Sequence, residues 1–268
     1  MGSETLGNRI SPAGDLRRTA RAAIDLLLPR ECPVCGRVLG AAESHLCLGC
    51  EADIPLTGYS LRAHNPMADR FNETLESYRQ DDESMPYEWA DALMFYDAES
   101  PYTEIPKALK YHGDTALGRY FGAMLGERIS SAPRFRDVDL VIPVPLHWTR
   151  MWSRGYNQAM VLAEEISAAL GCPLGDGILI RSRRTRTQTR LSVSGKADNV
   201  RGAFSVRGAL PSGTRHVLLV DDTFTTGATL AACHNALRRI QDPPERISIA
   251  TLAVVPTRHA SHSALQGR

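Results

Sequence analysis

The sequence predicts an α/β domain, a mainly parallel sheet with flanking helices, preceded by a small cysteine module. Three observations carry that expectation. The apolar runs VDLVIPVPL (138–146), HVLLVDD (216–222) and RISIATLAVV (246–255) read as buried strands. Segments with helical spacing, GYNQAMVLAEEISAALG (155–171) and GATLAACHNALRRI (227–240), follow the first two, and strand–helix alternation is the pattern of a parallel sheet. Ahead of them stand two Cys-x-x-Cys pairs within twenty residues, Cys32/Cys35 and Cys47/Cys50.

Taken in order, residues 1–13 are polar and read as a disordered N-terminus. Leu16, Ala20, Ala23, Ile24, Leu27 and Leu28 fit an amphipathic helix stopped by Pro29, so 14–55 reads as a helix plus the cysteine module. Residues 56–88, with Gly58, Asn65-Pro66 and the acidic group Asp81, Asp82, Glu83, read as an irregular connection. The α/β domain is expected over 89–258, with a tail at 259–268. Within it ALMFY reads as a strand, and PKALKYHG and TALGRYFGAMLGERI as helices. VDLVIPVPL is a strand, 155–171 a helix, 178–180 a short strand, 216–222 a strand, 227–240 a helix and 246–255 the last strand.

The chain of 268 residues is 43% hydrophobic and 23% charged, ordinary for a domain that buries a core. Its 31 basic and 30 acidic residues leave a net charge of +1, so overall charge names no partner. No apolar run approaches the ~18 residues of a membrane span, and MGSETLGNRISPAGDLRR lacks the apolar core of a signal peptide. A cytoplasmic protein without membrane insertion is expected. Six cysteines in a reduced compartment read as metal ligands or small buried residues before disulfides.

Eleven residues separate the two pairs, and Gly36 and Gly49 give each the freedom of a tight turn. Four thiolates from Cys32, Cys35, Cys47 and Cys50 suit a tetrahedral Zn²⁺ with no open position, a structural site. The alternatives are four reduced cysteines in a small core, or a redox pair. His45 lies outside a shell that four sulfurs complete. Cys172 and Cys233 read as buried small residues.

The stretch VLLVDDTFTTGATL (217–230) holds the densest chemistry. A strand ending at Asp221 and Asp222 delivers its next loop to the carboxyl edge of the sheet, where open α/β folds bind ligands. Thr225, Thr226, Gly227, Ala228 and Thr229 then open a helix, whose N-terminal amides and hydroxyl donors suit a phosphate. Two adjacent carboxylates repel a phosphate and instead suit neighbouring sugar hydroxyls, so the pattern reads as a ribose 5-phosphate recogniser. A nucleotide-hydrolase strand is discounted because no G-x-x-x-x-G-K-[ST] occurs. An ordinary capped helix remains the plain alternative.

This stretch resembles the phosphoribosyl-diphosphate-binding loop of type I phosphoribosyltransferases, and the chain as a whole resembles the ComF family. The resemblance rests on CPVCG with CLGC, PKALKYHGD, VIPVPLHWTRMWSRGYNQ, RTQTRLS, NVRGAF and the opening of the last helix, in order from Cys32 to Leu230. It implies a type I phosphoribosyltransferase-like domain behind a zinc-ribbon-like module. Two departures stand out. Lys196 replaces an arginine, and lysine cannot reproduce a bidentate grip. Thr223 and Phe224 fill positions more often aliphatic.

The resemblance implies phosphoribosyl diphosphate as ligand, accompanied by Mg²⁺, with Arg150 and Arg154 facing the diphosphate. Tyr156, Asn157 and Gln158 would position the sugar or cap the helix. Lys110 and His112 match the family without derivable chemistry, Lys110 being a weaker anion candidate, and His147 reads as a structural or surface residue. The basic segment 181–202 includes Arg184, Arg186, Gln188, Arg190 and Lys196. It reads as a lid over the site, a track for single-stranded DNA, or a solvated loop. The family implies a role in DNA uptake and competence, with a competence-machinery protein as partner. The alternative is a metabolic phosphoribosyltransferase with a small acceptor and a purely structural zinc module. A zinc-ribbon adaptor alone leaves the acid pair and threonine loop without a reason.

Overall fold

The computed structural model describes residues 29–77, 86–146, 151, 154–181 and 202–256. The chain divides into two compact units, Met1–Asp53 and Ile54–Arg268. The expected N-terminal disorder, the helix at 14–28 and the tail at 259–268 lie outside the described residues. Among those described, no helix is long and apolar enough to cross a membrane.

The first unit is organised by turns. Glu31 and Val38 form an antiparallel bridge, closed by Cys32 N–H to Arg37 O (2.8 Å) and Gly36 N–H to Cys32 O (2.8 Å). Gly36 sits at φ 74°, where a side chain would strain the turn. A five-residue helix, α1 (Leu48–Ala52), follows, capped by the Cys47 sulfur. Glu43 ties the halves together. It accepts hydrogen bonds from Gly40 N (2.7 Å) and Leu48 N (2.8 Å), and Arg37 pairs with it. These two amides, with Arg37, hold its carboxyl below the usual range.

The second unit is built on a four-stranded sheet in the order β1 (Ala90–Phe95), β6 (Arg246–Val254), β5 (His216–Phe224), β2 (Leu140–Pro143), every pair parallel. All four strands are buried along most of their length, as a sheet covered on both faces requires. Val217 and Leu219 of β5 and Ile247 and Ile249 of β6 share one core with α2 (Pro66–Ser77) and α6 (Ala228–Arg238). By the two-residue period of a strand, Leu218 and Val220 point to the opposite face. There α5 (Gln158–Leu170) packs on β2 and β5, and on α4 (Thr115–Ser131).

Four sequence expectations need correction. Residues 56–88 are not irregular throughout, because Pro66–Ser77 is helical. Asn65-Pro66, which reads as a turn, is the start of α2. The Asn65 carboxamide accepts from Met67 N (3.1 Å) and Ala68 N (2.9 Å) and donates to Ala90 O (2.9 Å), while proline suits the first helical position. Met67, Phe71 and Leu75, four residues apart, are buried. Second, PKALKYHG is a short α3 (Glu104–Lys107) continued by one π-helical turn, Ala108–His112, which Gly113 ends in the left-handed region. Third, β5 does not stop at the acids, since Thr223 and Phe224 keep register with Ala253 and Val254. Fourth, the short strand near 178–180, β3 (Leu179–Arg181), pairs antiparallel with β4 (Phe204–Val206), which the sequence pattern concealed.

The contact between α4 and α5 depends on small residues. Gly118, Gly122 and Gly126 repeat every four residues along α4. A methyl group on Gly126 would lie 2.9 Å from Ala169 Cβ and 3.1 Å from Glu165 O. Alanine is worth ~1 kcal/mol more than glycine inside a helix, but overpacking costs ~1–3 kcal/mol. Gly126→Ala is therefore expected to lower the urea midpoint. An unchanged or higher midpoint would show that α4 can move away from α5 at no cost.

Candidate functional site

The site opens where β2 and β5 part. Their last contact is Val144 N–H to Val220 O (2.8 Å), and the next residues of β5 are Asp221 and Asp222. Asp221 Oδ1 accepts from the Asp222 amide (2.8 Å). Burial, and then the neighbouring Asp222 charge, push the Asp221 carboxyl up to about 7. Asp222 is compensated differently. Lys110 Nζ lies 3.2 Å from its Oδ1 and 3.3 Å from Thr223 Oγ1. Lys110 comes from the π-helical turn, a geometry concentrated at functional sites.

Beyond Phe224 the chain turns into α6. Gly227 stands at φ 78°, and a Cβ there would meet the Phe224 ring at 2.9 Å, so glycine is required twice over. Thr226 Oγ1 accepts from Ala228 N (3.4 Å), and Ala231 N–H reaches Gly227 O (2.8 Å). Thr225 is exposed, and Thr226 and Thr229 are half-buried. The first amides of any helix lack intrahelical acceptors, and here they open beside these hydroxyls.

Two side chains of α2 hold this loop from behind. Arg70 donates Nη1 to Val255 O (2.7 Å) and Nη2 to Thr225 O, and its guanidinium lies 5.1 Å from the Phe224 ring centre. Thr74 Oγ1 lies 3.3 Å from Thr226 O. Sequence reasoning missed both residues because the helix carrying them was read as irregular. The apolar spacing of Met67, Phe71 and Leu75 was the signal available.

Of the two arginines expected to face a diphosphate, Arg150 lies outside the described residues, as does His147. Arg154 is described. Its Nη1 donates to Gln158 Oε1 (3.0 Å) and its guanidinium lies 5.5 Å from the Tyr111 ring centre. Asn157 caps α5, accepting from Ala159 N (3.2 Å) and donating to Val144 O (3.0 Å). Tyr156 donates its hydroxyl to Leu109 O, and so ties the segment before α5 to the turn that carries Lys110. Arg184, Arg186, Gln188, Arg190 and Lys196 lie outside the described residues. They fall in sequence between β3 and β4. A cavity of about 570 Å³ borders the same edge, lined among others by Pro143, Leu146, Tyr156, Met160, Asp176 and Arg181.

The cysteine cluster belongs to the first unit. The sulfurs of Cys32, Cys35, Cys47 and Cys50 lie within 4.8 Å of one another, and those of Cys35 and Cys47 are 3.7 Å apart. Four Zn–S bonds of about 2.3 Å in a tetrahedron place sulfurs roughly 3.8 Å apart, so the cluster fits zinc. The Cys50 amide donates to Cys47 Sγ (3.4 Å) and lowers that thiol to about 7. Burial and the neighbouring sulfurs push Cys50 up. Such a set carries its thiolates together only with a cation among them. Cys233 is buried and Cys172 half-buried.

Comparison with known proteins finds a counterpart for each kind of module. Residues 23–60 match the family described as double zinc ribbon domain, and 157–265 match the phosphoribosyl transferase domain. The DNA utilization protein YhgH of Shigella flexneri is 31% identical over 157 residues, 58% of this chain and 68% of that protein. Competence protein F of Haemophilus influenzae is 28% identical over 215 residues, 78% of this chain and 91% of that one. The chain belongs to the ComF family. Its larger unit is a phosphoribosyltransferase-like α/β fold and its N-terminal module a zinc ribbon holding structural zinc. Only four cysteines fall within 23–60, enough for one such site. An adenine phosphoribosyltransferase of Thermoanaerobacter pseudethanolicus is 16% identical, over 54% of this chain and 83% of its own, with a TM-score of 0.31, too low to carry an argument.

Two outcomes follow for this ComF-family protein. The purified chain should hold one zinc per molecule, and Cys47→Ser should lose it, with faster amide exchange across 29–53; metal analysis and exchange mass spectrometry read both. The second concerns Asp221. A carboxyl raised from 3.8 to about 7 is ionised at a cost to the folded state, so its effect on stability worsens as pH rises through that window. Asp221→Asn should therefore melt above wild type at pH 8, by on the order of 1–3 kcal/mol, with the gain fading towards pH 4. A gain that grows at low pH would reverse this assignment.

Proposed function

We propose that this ComF-family protein binds phosphoribosyl diphosphate, or a related ribose 5-phosphate, at the carboxyl edge of β5, and that it serves DNA uptake or utilization. The observation that carries the reading is the acid pair Asp221–Asp222 beside a threonine–glycine loop that opens α6. The two carboxylates would accept the ribose 2- and 3-hydroxyls. Thr225, Thr226 and Thr229, with the amides of Gly227 and Ala228, would donate to the 5-phosphate. Arg154 would face the diphosphate, joined by Arg150. The names of the relatives, competence protein F and DNA utilization protein, support the cellular role.

Mg²⁺ would enter with the ligand, held by diphosphate oxygens and water, because Asp222 is already paired with Lys110. Its charge would offset that of the diphosphate. Transfer at this site would break the bond from C1 of the ribose to the diphosphate oxygen. The electron pair would leave with diphosphate, and an acceptor nucleophile would bond to C1 and lose its proton. Asp221 and Asp222 would hold the ribose while the arginines stabilise the leaving charge. The segment containing Arg184, Arg186, Gln188, Arg190 and Lys196 would close over this ligand or contact single-stranded DNA. A competence-machinery protein is the proposed partner, and the cytoplasm the proposed location. The cavity of about 570 Å³ favours a second reading, a transferase acting on a small acceptor.

Calorimetric titration with phosphoribosyl diphosphate and Mg²⁺ tests the site. Wild type should bind, and Asp221→Asn/Asp222→Asn should bind at least about tenfold more weakly while staying folded. No binding by zinc-loaded wild type would end the sugar-phosphate reading.

A further inference from the structure

Lys110 poses a problem that the ligand reading leaves open. A site meant for an anion carries two adjacent carboxylates, and their charges oppose the ligand they should hold. The described cation closest in the chemistry is Lys110, 3.2 Å from Asp222 Oδ1 and 3.3 Å from Thr223 Oγ1. Its side chain is 24% exposed and that of Asp222 15%, so solvent screens this pair less than an ordinary surface bridge. The contact spans more than a hundred residues of chain, so no local helix pairing accounts for it.

The turn that presents Lys110 is held on both sides by the segment before α5. Tyr156 donates to Leu109 O, and Arg154 stacks on Tyr111. Those residues belong to the loop assigned to the diphosphate. Lys110 thus stands between the two halves of the site, fixed by one and paired with the other.

We propose that Lys110 is a positioning residue for the sugar-phosphate site, acting through Asp222 as the counter-charge that lets an acid pair receive ribose hydroxyls beside a phosphate. This rests on the ligand reading given above. Lys110 need not touch the ligand. Without it, Asp222 would lose its paired cation, with Arg181 left acting on the neighbouring Asp221, and its carboxylate would be free to turn away from the sugar.

The test is a double-mutant cycle with phosphoribosyl diphosphate and Mg²⁺, read by calorimetry, with thermal melts to confirm folding. Lys110→Met should weaken binding at least about tenfold, and Lys110→Arg should keep most of it. If lysine acts through Asp222, its loss should cost little once that carboxylate is gone, so Lys110→Met/Asp222→Asn should bind about as tightly as Asp222→Asn alone. Lys110→Gln, which keeps a hydrogen-bonding end without charge, replaces methionine if that variant does not fold. Equal affinity of Lys110→Met and wild type would overturn the inference while leaving the ligand site intact. A Lys110→Met penalty as large in the Asp222→Asn background as in wild type would also overturn it, showing that lysine acts on the ligand directly or only as a scaffold. If wild type binds neither phosphoribosyl diphosphate nor ribose 5-phosphate, the ligand reading fails and this inference falls with it.

Discussion

β5 is buried from His216 to Val220 and then sets two half-buried carboxylates side by side, so charge must be managed directly beyond a stretch that has no access to bulk water. Like charges at adjacent positions cannot both ionise freely in such a place. The rest of the edge follows from that constraint. Asp221 accepts from the Asp222 amide and titrates near neutrality, while Asp222 is matched by Lys110. The loop that follows offers amides and hydroxyls in place of further charge. Arg70 anchors its backbone through carbonyls, leaving its own cation behind the loop.

The zinc ribbon faces the same difficulty with different chemistry. Four sulfurs within 4.8 Å cannot all become thiolates unaided. The cation that resolves the repulsion is a metal, and its binding energy becomes folding energy for a unit too small to hold a large core. Glu43 is the part of that unit the cysteines do not explain. By gathering the amides of Gly40 and Leu48 and the Arg37 guanidinium, it ties the turn after the first pair to the helix that carries the second.

What the sequence disclosed follows from the range of the interactions involved. Buried parallel strands announce themselves as unbroken apolar runs, and the helices after β2 and β5 carry a clear period. The two Cys-x-x-Cys pairs and the loop Thr225–Thr229 are local patterns, so they could be named directly. Helix α2 was hidden because Asn65-Pro66 has the composition of a turn and becomes a cap only when Ala90 O receives the Asn65 amide. The three residues of β4 are too few to show a period. Arg70, Thr74 and the pairing of Lys110 with Asp222 depend on contacts across more than a hundred residues, which no local pattern encodes.

The acid pair also bears on why such a site would be kept at a cost in stability. Replacing a buried carboxylate by its amide preserves shape and removes the repulsion, so folding alone would favour asparagine at Asp221. A sequence that retains Asp there, and spends a lysine from a π-helical turn on its neighbour, is arranged for something beyond its own stability. A sugar hydroxyl donates to a carboxylate more strongly than to a neutral amide oxygen, because the acceptor is charged. With Asp221 near neutrality in its titration and Asp222 offset by Lys110, the edge would offer charged acceptors to the hydroxyls of the proposed ligand while presenting little net charge to its phosphate. That combination makes a carboxylate pair compatible with an anion loop, and it ties the cost borne by β5 to the kind of ligand the site is built to receive.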